Sequence, residues 1–355
     1  MSRLAVMAGA ALLALSGTGS AQAAAPGWQD LTQPLPAGSS PLREAYALPF
    51  SASSATIVEA QTPCPIGGCG ADTLQWEWNG TSAVSKPKGP YQYERGAKMA
   101  GTGPDDLWFL TYSDEGFGTG LDHWDGTAWT SPAFPSYFQP SQLLGTAPGE
   151  LLVAGYEYFN PGRPIVAKWS GGVWSQTFLP APGGKRVKLR AIHQTGPNEI
   201  WVSGETETTS VTSEMYVARF NGTSWTQVTV PKLTGTSYYS QQIAGTSTDL
   251  WFTGMKTDVD KCWTSLRYNG SAFTTVRTCD GTSIHTVVKH NGTWIADGGT
   301  TGLRKWTGTA WTPIAAPRTT GTGIRQLTPE PGGAAYWASG WDANGPFVAR
   351  FTGTP

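Results

Sequence analysis

Hydrophobic and polar residues alternate along most of this chain in short runs that end at turns containing glycine. In the clearest example, residues 217–220 read Val-Ala-Arg-Phe, residues 221–224 read Asn-Gly-Thr-Ser, and Trp225 follows. Alternation with a period of two is typical of a half-buried strand, and an Asn-Gly pair between two such strands favours a type I′ turn, in which both residues have positive φ. The stretch therefore predicts a β-hairpin.

Turns of this kind occur seven times, at intervals of roughly 45 residues, which is the length of a four-stranded propeller blade. They are Asn79-Gly80, Asp125-Gly126, Ser170-Gly171, Asn221-Gly222, Asn269-Gly270, Thr307-Gly308 and Thr352-Gly353. A second strand signature precedes four of the turns, in Asp106-Leu107-Trp108, Glu199-Ile200-Trp201, Asp249-Leu250-Trp251 and Tyr336-Trp337. With one more strand before that signature, each repeat has four strands, labelled a to d in chain order, and strand a is expected to be innermost. The pattern predicts an all-β fold, a seven-bladed β-propeller of four-stranded blades.

The two ends of the chain predict how the ring closes. The last repeat stops at Pro355, shortly after its turn and before a Trp-bearing strand d could form. A counterpart of the missing strand lies near the N-terminus, where residues 27–36 resemble residues 224–231. We therefore expect the strand around Trp28 to complete the seventh blade, which would leave no unpaired sheet edge.

Residues 1–25 have the pattern of a secretory signal peptide. Arg3 precedes an apolar run from Leu4 to Leu15, and small residues ending in Ala21-Gln22-Ala23 match a cleavage site. The run is too short to span a membrane, and no later apolar stretch approaches the roughly 20 residues that a spanning helix needs. We expect residues 26–355 to form a single propeller domain that is secreted to the extracellular space.

Charge and composition narrow the choice of partner. Charged residues make up 14% of the chain and 45 residues are Gly, which fits a protein rich in turns. The formal net charge is −1, so the chain has no basic field that would hold a phosphate backbone. We therefore do not expect this protein to bind nucleic acid.

Four cysteines fit an oxidising compartment. Cys262 and Cys279 flank the Asn269-Gly270 turn almost symmetrically, so the hairpin would place them opposite each other, within reach of a disulfide. Cys64 and Cys69 close a short loop, and their local pairing is favoured because the two pairs lie far apart in the repeat order. A zinc site is the alternative, which the C-x4-C spacing and the absence of a nearby His disfavour.

Over nearly all of the mature chain, these repeats resemble the secreted bacterial seven-bladed β-propellers, within the broad superfamily of WD40-like and kelch-like domains. The resemblance implies the architecture and no specific function. Kelch repeats carry a Gly-Gly doublet in each blade, whereas Gly67-Gly68 and Gly332-Gly333 fall irregularly here. No active residue of these families can be carried over to this sequence.

Loop lengths predict which face binds a ligand. The a-to-b and c-to-d turns are short, whereas the b-to-c and d-to-a loops vary in length and would share one face, here called the variable-loop face. Insertions in repeat proteins gather on the binding face. The candidate ligand-binding aromatic residues are Tyr91, Tyr93, Tyr137, Phe138, Tyr156, Tyr158, Tyr238, Tyr239 and Trp341. Exposed rings suit sugars or partner side chains, and packing against neighbouring loops is the alternative for each ring.

Polar residues near the start of strand a would ring the mouth of the central channel. They are Arg95, Gln142, Arg190, Gln241, His285 and Arg325. Arg190 and Arg325 could hold a carboxylate or a uronic acid with paired donors. Equally, polar side chains in a water-filled channel need no ligand.

The candidate catalytic residues form no recognisable motif. The candidate acid pairs are Asp114 with Glu115, Glu205 with Glu207, and Asp258 with Asp260, all in predicted loops, where solvated acidic groups are ordinary. None of the histidines stands in a metal-binding spacing or a triad motif. We expect no metal, no cofactor and no assignable catalytic residue.

Three functions remain open. The first is a monomeric, non-catalytic protein that binds a glycan or an extracellular protein through the variable-loop face. The second is a polysaccharide lyase or glycoside hydrolase acting at the channel mouth. The third is a structural scaffold for protein interactions, without a small ligand.

Overall fold

A computed structural model of the chain describes residues 27–33, 43–61, 74–86, 98–112, 119–158, 162–207, 213–231, 239–255, 262–299, 302–318, 323–342 and 345–354. In these ranges the strands form seven antiparallel sheets of four strands each. The first strands of successive sheets pack against one another all the way round, from the first sheet to the seventh and back to the first. The prediction of a seven-bladed propeller with strand a innermost is confirmed.

The strands follow the blade order. After β1 (Trp28–Asp30), blade one contains β2 (Arg43–Ser51), β3 (Ser54–Gln61), β4 (Leu74–Trp78) and β5 (Ala83–Ser85). Blade two contains β6 (Lys98–Gly103), β7 (Asp106–Tyr112), β8 (Thr119–Trp124) and β9 (Trp129–Thr130), and blade three β10 (Phe138–Ala147), β11 (Glu150–Glu157), β12 (Pro164–Ser170) and β13 (Val173–Phe178).

The remaining blades continue in the same way. Blade four contains β14 (Val187–Gly196), β15 (Glu199–Glu207), β16 (Ser213–Phe220) and β17 (Trp225–Gln227), and blade five β18 (Tyr239–Thr246), β19 (Asp249–Met255), β20 (Trp263–Tyr268) and β21 (Phe273–Thr278). Blade six contains β22 (Val287–His290), β23 (Thr293–Asp297), β24 (Leu303–Trp306) and β25 (Trp311–Ile314), and blade seven β26 (Gly323–Pro329), β27 (Tyr336–Asp342) and β28 (Gly345–Phe351), with β1 as its outer strand. A short 3-10 turn, Pro182–Gly184, precedes β14, and no helix in the described ranges is long and apolar enough to cross a membrane.

Strand β1 closes the ring as the sequence predicted. It pairs antiparallel with β28, with Trp28 opposite Phe351, and the amide of Thr352 donates to the carbonyl of Gly27 at 3.0 Å. The Trp28 side chain is 7% exposed and its ring lies 4.9 Å from that of Phe351 and 5.4 Å from that of Tyr336. The seventh blade is therefore held by both ends of the chain.

Arg318, from the loop between blades six and seven, fastens this joint. Its guanidinium lies 2.8 Å from a carboxylate oxygen of Asp342, 3.0 Å from Asp30 and 2.9 Å from the Thr32 hydroxyl. Asp30 and Thr32 belong to the N-terminal segment, whereas Asp342 ends β27. One cation thus joins the outer strand of blade seven to the strand two places further in.

The type I′ prediction for the Asn-Gly turns is wrong. Gly222 has a φ of 95°, but only Tyr137 and Asn291 have a positive φ among the described residues other than glycine. In the four-residue turn after β16, the Asn221 side-chain oxygen instead accepts the amides of Thr223 and Ser224, each at 3.0 Å. Asn therefore acts through its side chain, as Asx turns do, and only Gly needs the left-handed backbone.

The type I′ geometry occurs at other hairpins. Asn291 and Gly292, between β22 and β23, have φ values of 47° and 79°, and Gly171 and Gly172, between β12 and β13, have 59° and 85°. In these two turns the strands are joined by two residues, which requires positive φ at both positions.

The predicted disulfide between Cys262 and Cys279 is confirmed. The two residues precede β20 and follow β21, where Trp263 pairs with Thr278, and their Cα atoms are 4.2 Å apart. The bond closes the outer hairpin of blade five at the variable-loop face. Cys64 and Cys69 lie outside the described residues, so their pairing stays a prediction.

An arrangement of three side chains, here called the acid–Trp–base triad, repeats on the face opposite the variable loops. It comprises an acid before or at the start of strand b, a tryptophan on strand b and a basic residue opposite that tryptophan on strand c. The triads are Asp106–Trp108–His123, Glu199–Trp201–Arg219, Asp249–Trp251–Arg267 and Glu330–Trp337–Arg350. The acid lies 2.9, 2.7, 2.9 and 2.7 Å from its basic partner, respectively. Buried carboxylates need such partners, so the triads belong to the scaffold.

Replacing Trp28 tests the closure of the ring. We expect Trp28→Ala to lower the free energy of unfolding by about 3 to 5 kcal/mol, because it removes a large buried ring from the joint between the two ends. Chemical denaturation followed by circular dichroism measures the change. Val84→Ala, at a position that is 52% exposed, is the control and should change stability by less than about 0.5 kcal/mol. A loss for Trp28→Ala as small as the control's would contradict the joint.

Candidate functional site

The variable-loop face contains part of the predicted site. Tyr91, Tyr93, Arg95 and Tyr238 lie outside the described residues, as do the acid pairs Asp114–Glu115 and Asp258–Asp260. For Tyr239 the backbone alone is described, as the first residue of β18. These residues stay predictions.

A β-bulge recurs at the same place in the innermost strands of four blades. The extra residues are Ser141, Arg190, Gln241 and Arg325 in blades three, four, five and seven. Opposite the bulge of blade four, a Cβ atom on Gly204 would collide with the carbonyl oxygen of Lys188, and Gly340 is equally close to the carbonyl of Gly323 in blade seven. The bulge places strand a against strand b here, so only glycine fits, and it redirects the side chain of the extra residue.

Arg190 is the best-defined of the predicted channel residues. Its guanidinium donates to a carboxylate oxygen of Glu205 on the next strand, at 2.7 and 3.2 Å, and Glu205 is buried. Lys98, the first residue of β6 in blade two, lies close enough to Arg190 for the two charges to repel. Burial, and then that repulsion, lower the pKa of Lys98 to about 8. The channel end of the face thus contains an amine that loses its proton unusually easily.

His285 and Arg325 meet on the other side of the ring. Burial, and then the charge of Arg325, lower the pKa of His285. The amide of His285 donates to Asp297, which also accepts the amide and hydroxyl of Thr286, each at 2.6 Å. Complete burial outweighs these hydrogen bonds and raises the pKa of Asp297 to about 6. His285 is therefore anchored through its backbone, next to a carboxyl group that holds blade six together.

Two exposed tyrosines lie side by side on blade three. Tyr137 is 64% exposed and has a φ of 64°, a conformation that costs a bulky residue free energy, and its carbonyl accepts the amide of Tyr158 at 2.8 Å. Tyr158 is 53% exposed. Unfavourable backbone geometry at a residue that presents a ring to solvent is more typical of a binding surface than of a scaffold.

Three cations lie near the end of β11, beside Tyr158. Arg186 donates to the carbonyl of Tyr158 at 3.1 Å, and Arg163 contacts both oxygens of Glu157 at 2.9 and 3.2 Å. Glu207 contacts Arg186 at 3.7 Å and also binds Lys188. We call Tyr137, Tyr158, Arg163, Arg186 and Lys188 the Tyr–Arg patch. Through Lys188 it continues along β14 to Arg190 and the channel.

Other predicted residues do not join this patch. Phe138 is 6% exposed and packs in the core between blades two and three, so it is not a ligand-binding ring. Tyr156 lies beneath Lys188, whose amine is 5.9 Å from the centre of its ring. Trp341 is 38% exposed, but it lies on blade seven. The aromatic side chains in the described part of the face therefore do not form one continuous platform.

The prediction that Glu205 and Glu207 lie in a loop is wrong. Both lie in β15, which extends to Glu207, because their alternation with Thr206 continues the strand. Each carboxylate already contacts a cation, Arg190 or Lys188. Three histidines also have structural roles: the ring of His123 stacks on Trp108, and those of His193 and His290 bind the carbonyls of Gly245 and Gly353. Among the described side chains no group of three or more His, Cys, Asp or Glu residues could hold a metal.

Sequence reasoning missed Lys98, Arg163, Arg186 and Lys188. A signal for two of them was present, because Arg186, Lys188 and Arg190 alternate with Val187 and Leu189. A period of two places all three cations on one side of a strand. Glu205 and Glu207, two residues apart on β15, face them. No comparable signal pointed to Lys98, which is brought to Arg190 by the closure of the ring.

Comparison with known proteins supports the fold alone. No protein-family model matches the chain, and no curated protein sequence does either. Among solved structures, the chain is similar to the polysaccharide lyase Uly1, with a TM-score of 0.58, 11% identity and coverage of 91% of this chain and 94% of that one. It is also similar to an oligogalacturonate lyase in complex with manganese, with a TM-score of 0.56, 9% identity and coverage of 88% of this chain and 91% of that one. A third similar structure is YCF48 bound to D1 peptide, with a TM-score of 0.55, 11% identity and coverage of 88% of this chain and 96% of that one. The chain is a seven-bladed β-propeller, and these identities are too low to transfer an activity.

The titration of Lys98 tests the arrangement at the channel. We expect its pKa to be about 8 in the folded protein, compared with 10.5 for an ordinary lysine, and to rise in Arg190→Met because the repelling charge is removed. NMR titration of protein carrying 13C-labelled lysine side chains gives the value directly. Lys168→Arg, on the opposite face, should leave it unchanged. A wild-type pKa near 10.5 would contradict the burial of Lys98 and its repulsion by Arg190.

Proposed function

We propose that this protein is an exported, non-catalytic binding protein that holds an acidic glycan on its variable-loop face. The observation that carries the proposal is the Tyr–Arg patch, where two exposed rings lie next to three cations. Flat rings contact the apolar faces of sugars, and guanidinium groups bind carboxylates with paired, directional hydrogen bonds. A glycan with uronic acid residues presents both features.

Local charge favours an acidic ligand over a neutral one. Among the described residues on this side of the face, cations outnumber carboxylates: Lys98, Arg163, Lys185, Arg186, Lys188 and Arg190 against Glu157, Glu205, Glu207 and Glu214. The whole chain has a net charge of −1, so this excess is a local property. Glu157, Glu205 and Glu207 each contact a guanidinium or an amine without cancelling the total. The surface is therefore set up to attract an anion over a short range.

Export is the second part of the proposal. The signal-peptide pattern of residues 1–25 and the Cys262–Cys279 bond both support an extracellular location, because disulfides persist in oxidising compartments. We infer that the mature protein begins near residue 26, is a monomer and meets its ligand outside the cell.

A binding measurement with matched sugars tests the function. We expect oligogalacturonate to bind more tightly than a neutral oligosaccharide of the same length, and its binding to weaken as salt is added, because screening reduces the attraction of exposed charges. Tyr158→Ala should weaken binding roughly five- to tenfold through the loss of a ring contact, and Arg186→Gln should weaken the acidic ligand more than the neutral one. Isothermal titration calorimetry gives all of these affinities.

An exposed position far from the patch provides the control variant. Val173 is 68% exposed and begins β13, at the opposite end of blade three, so Val173→Ala should bind like the wild type. Equal affinity for acidic and neutral sugars, or binding that survives both patch variants, would contradict the proposal. Binding of a protein partner and of no sugar would favour the extracellular-protein alternative.

One observation favours a polysaccharide lyase as the second candidate. Lys98, with a pKa of about 8, lies near Arg190 at the channel end of the face. In such a lyase, a base removes the proton on the carbon next to a uronate carboxylate, the glycosidic C–O bond on the neighbouring carbon breaks, and the leaving oxygen gains a proton. A neutral lysine can act as that base, and Arg190 can neutralise the carboxylate.

Product formation separates the two candidates. A lyase would release an unsaturated sugar from oligogalacturonate, which is measured by its ultraviolet absorbance, and the rate would rise with pH up to about 8 as Lys98 loses its proton. Lys98→Met should then abolish product while Val173→Ala keeps it. Binding without any unsaturated product, in the wild type, would exclude this second candidate for the substrate tested.

A further inference from the structure

A cleft separates blades three and four. It runs from Glu150 and Lys168, on the face opposite the variable loops, to Phe178, where the guanidinium carbon of Arg163 lies 3.8 Å from the centre of the Phe178 ring. Its volume is about 1250 Å³. Leu152, Val166 and Leu179 form its wall on blade three, and Phe220 and Trp225 form the wall on blade four. Blade interfaces elsewhere are filled by aromatic side chains, as between blades four and five, where the Trp201 ring lies 5.3 Å from that of Tyr268.

The cleft lies where blade three departs from the acid–Trp–base triad. Glu150 begins strand b, and Lys168 lies opposite position 152 on strand c, with its amine 3.0 Å from the Glu150 carboxylate. Both the acid and the base of a triad are therefore present. The residue between them is Leu152, in the register position that tryptophan takes in blades two, four, five and seven. A leucine is much smaller than an indole, so the space that the ring would occupy stays open to the cleft.

The neighbouring blade also keeps the partner of the missing ring. Triad tryptophans contact an aromatic residue at the end of strand c in the next blade, in the pairs Trp108–Trp169, Trp201–Tyr268 and Trp251–Trp306, at 6.5, 5.3 and 5.1 Å between ring centres. Phe220 is the corresponding residue of blade four and lines the cleft. The acid, the base and the aromatic partner of the indole are therefore present at this interface, and the indole is missing.

Two hydroxyl groups add an independent observation. The side-chain oxygens of Thr146 and Thr195 are buried and have no hydrogen-bond partner among the residues that the structure describes. Both residues line the cleft. Buried hydroxyls usually find a partner, so a ligand with polar groups would gain hydrogen bonds that the protein offers there.

We propose that the cleft between blades three and four is a binding site for a small molecule built on an indole-like ring with an N–H donor. The ring takes the place of the triad tryptophan, and its N–H donates to Glu150, as the Trp201 indole does to Glu199 at 3.1 Å. Lys168 lies beside the ring as Arg219 does over Trp201, and Phe220 contacts its edge. A polar substituent reaches Thr146 and Thr195.

Size favours a small molecule with more than the bare ring. Pockets for small ligands commonly have volumes of roughly 300 to 1000 Å³, and this cleft is slightly larger. An indole fills only the part next to Leu152. The remaining space is lined by Ser175, Thr177, Gln194 and Thr195, which suit a polar extension.

The first experiment compares ligands on the wild-type protein. Indole, N-methylindole and tryptamine are titrated by calorimetry and by the shift of the melting temperature. We expect a single site for indole, roughly tenfold weaker binding of N-methylindole because it cannot donate to Glu150, and tighter binding of tryptamine through its polar extension. In Glu150→Ala, indole and N-methylindole should bind equally well.

The second experiment moves the site within the ring. Leu152→Trp should abolish indole binding and raise the melting temperature, because it completes the triad of blade three. Trp201→Leu creates the same arrangement between blades four and five, and it should add a second indole site while Leu152 keeps the first. Val84→Ala, at an exposed position on blade one, should bind indole like the wild type.

The outcomes that overturn the proposal are distinct. Failure of the wild type to bind any of the three ligands, or unchanged binding by Leu152→Trp, would refute the site. Equal binding of indole and N-methylindole to the wild type would refute the role of Glu150. A capped tripeptide with a central tryptophan that binds more tightly than tryptamine would assign the cleft to a polypeptide instead of a small molecule. The Tyr–Arg patch is tested separately, because none of its five residues lines the cleft.

Discussion

A circular protein made of sheets must pair its first and last edges, and the rest of this structure depends on how that pairing is made. Here a strand of three residues, β1, completes the sheet that ends the chain. Backbone hydrogen bonds, the buried Trp28 ring and the Arg318 guanidinium all act at this joint. Six other blades are continuous in sequence and need no such device. Because the innermost strands touch all the way round, the joint also sets the spacing of the channel residues.

Blade count, strand order and ring closure could all be predicted from the sequence, because they rest on turns and alternations that repeat. The backbone of the turns could not, since Asn221 stabilises the same hairpin with a side-chain oxygen where a type I′ turn was expected. Both geometries use an Asn-Gly pair, and the number of residues between the strands decides which one forms.

The site was less predictable than the fold, for a physical reason. Arg190 could be placed at the channel from its position in strand a, but its partner Glu205 looked like a loop residue until the strand was seen to extend through it. Lys98 is 92 positions away from Arg190 in sequence and meets it only through the curvature of the ring. Repeats identify the scaffold because they share an environment, whereas a site is built from the residues that differ between repeats.

The same reasoning applies to the blade interfaces. Seven copies of one unit in one chain provide an internal comparison, and Leu152 stands out because its neighbours Glu150 and Lys168 still follow the pattern. Where all three triad positions of a blade hold other types of residue, other aromatic rings fill the interface. Between blades three and four only the ring is lost, and the polar groups that contact it elsewhere remain.

The hydrogen bond from Thr352 to Gly27 has a further consequence for how the molecule can be held. It brings the two ends of the ring to one point, beside the turn that follows β28 and therefore on the face away from the Tyr–Arg patch. A tether or fused domain joined directly to residue 27 or residue 354 would leave from that same point. An anchored molecule would then present its variable loops away from the anchor. A load applied between the two ends would separate β1 from β28 one hydrogen bond at a time. The other six blades would carry none of that load until β1 had detached.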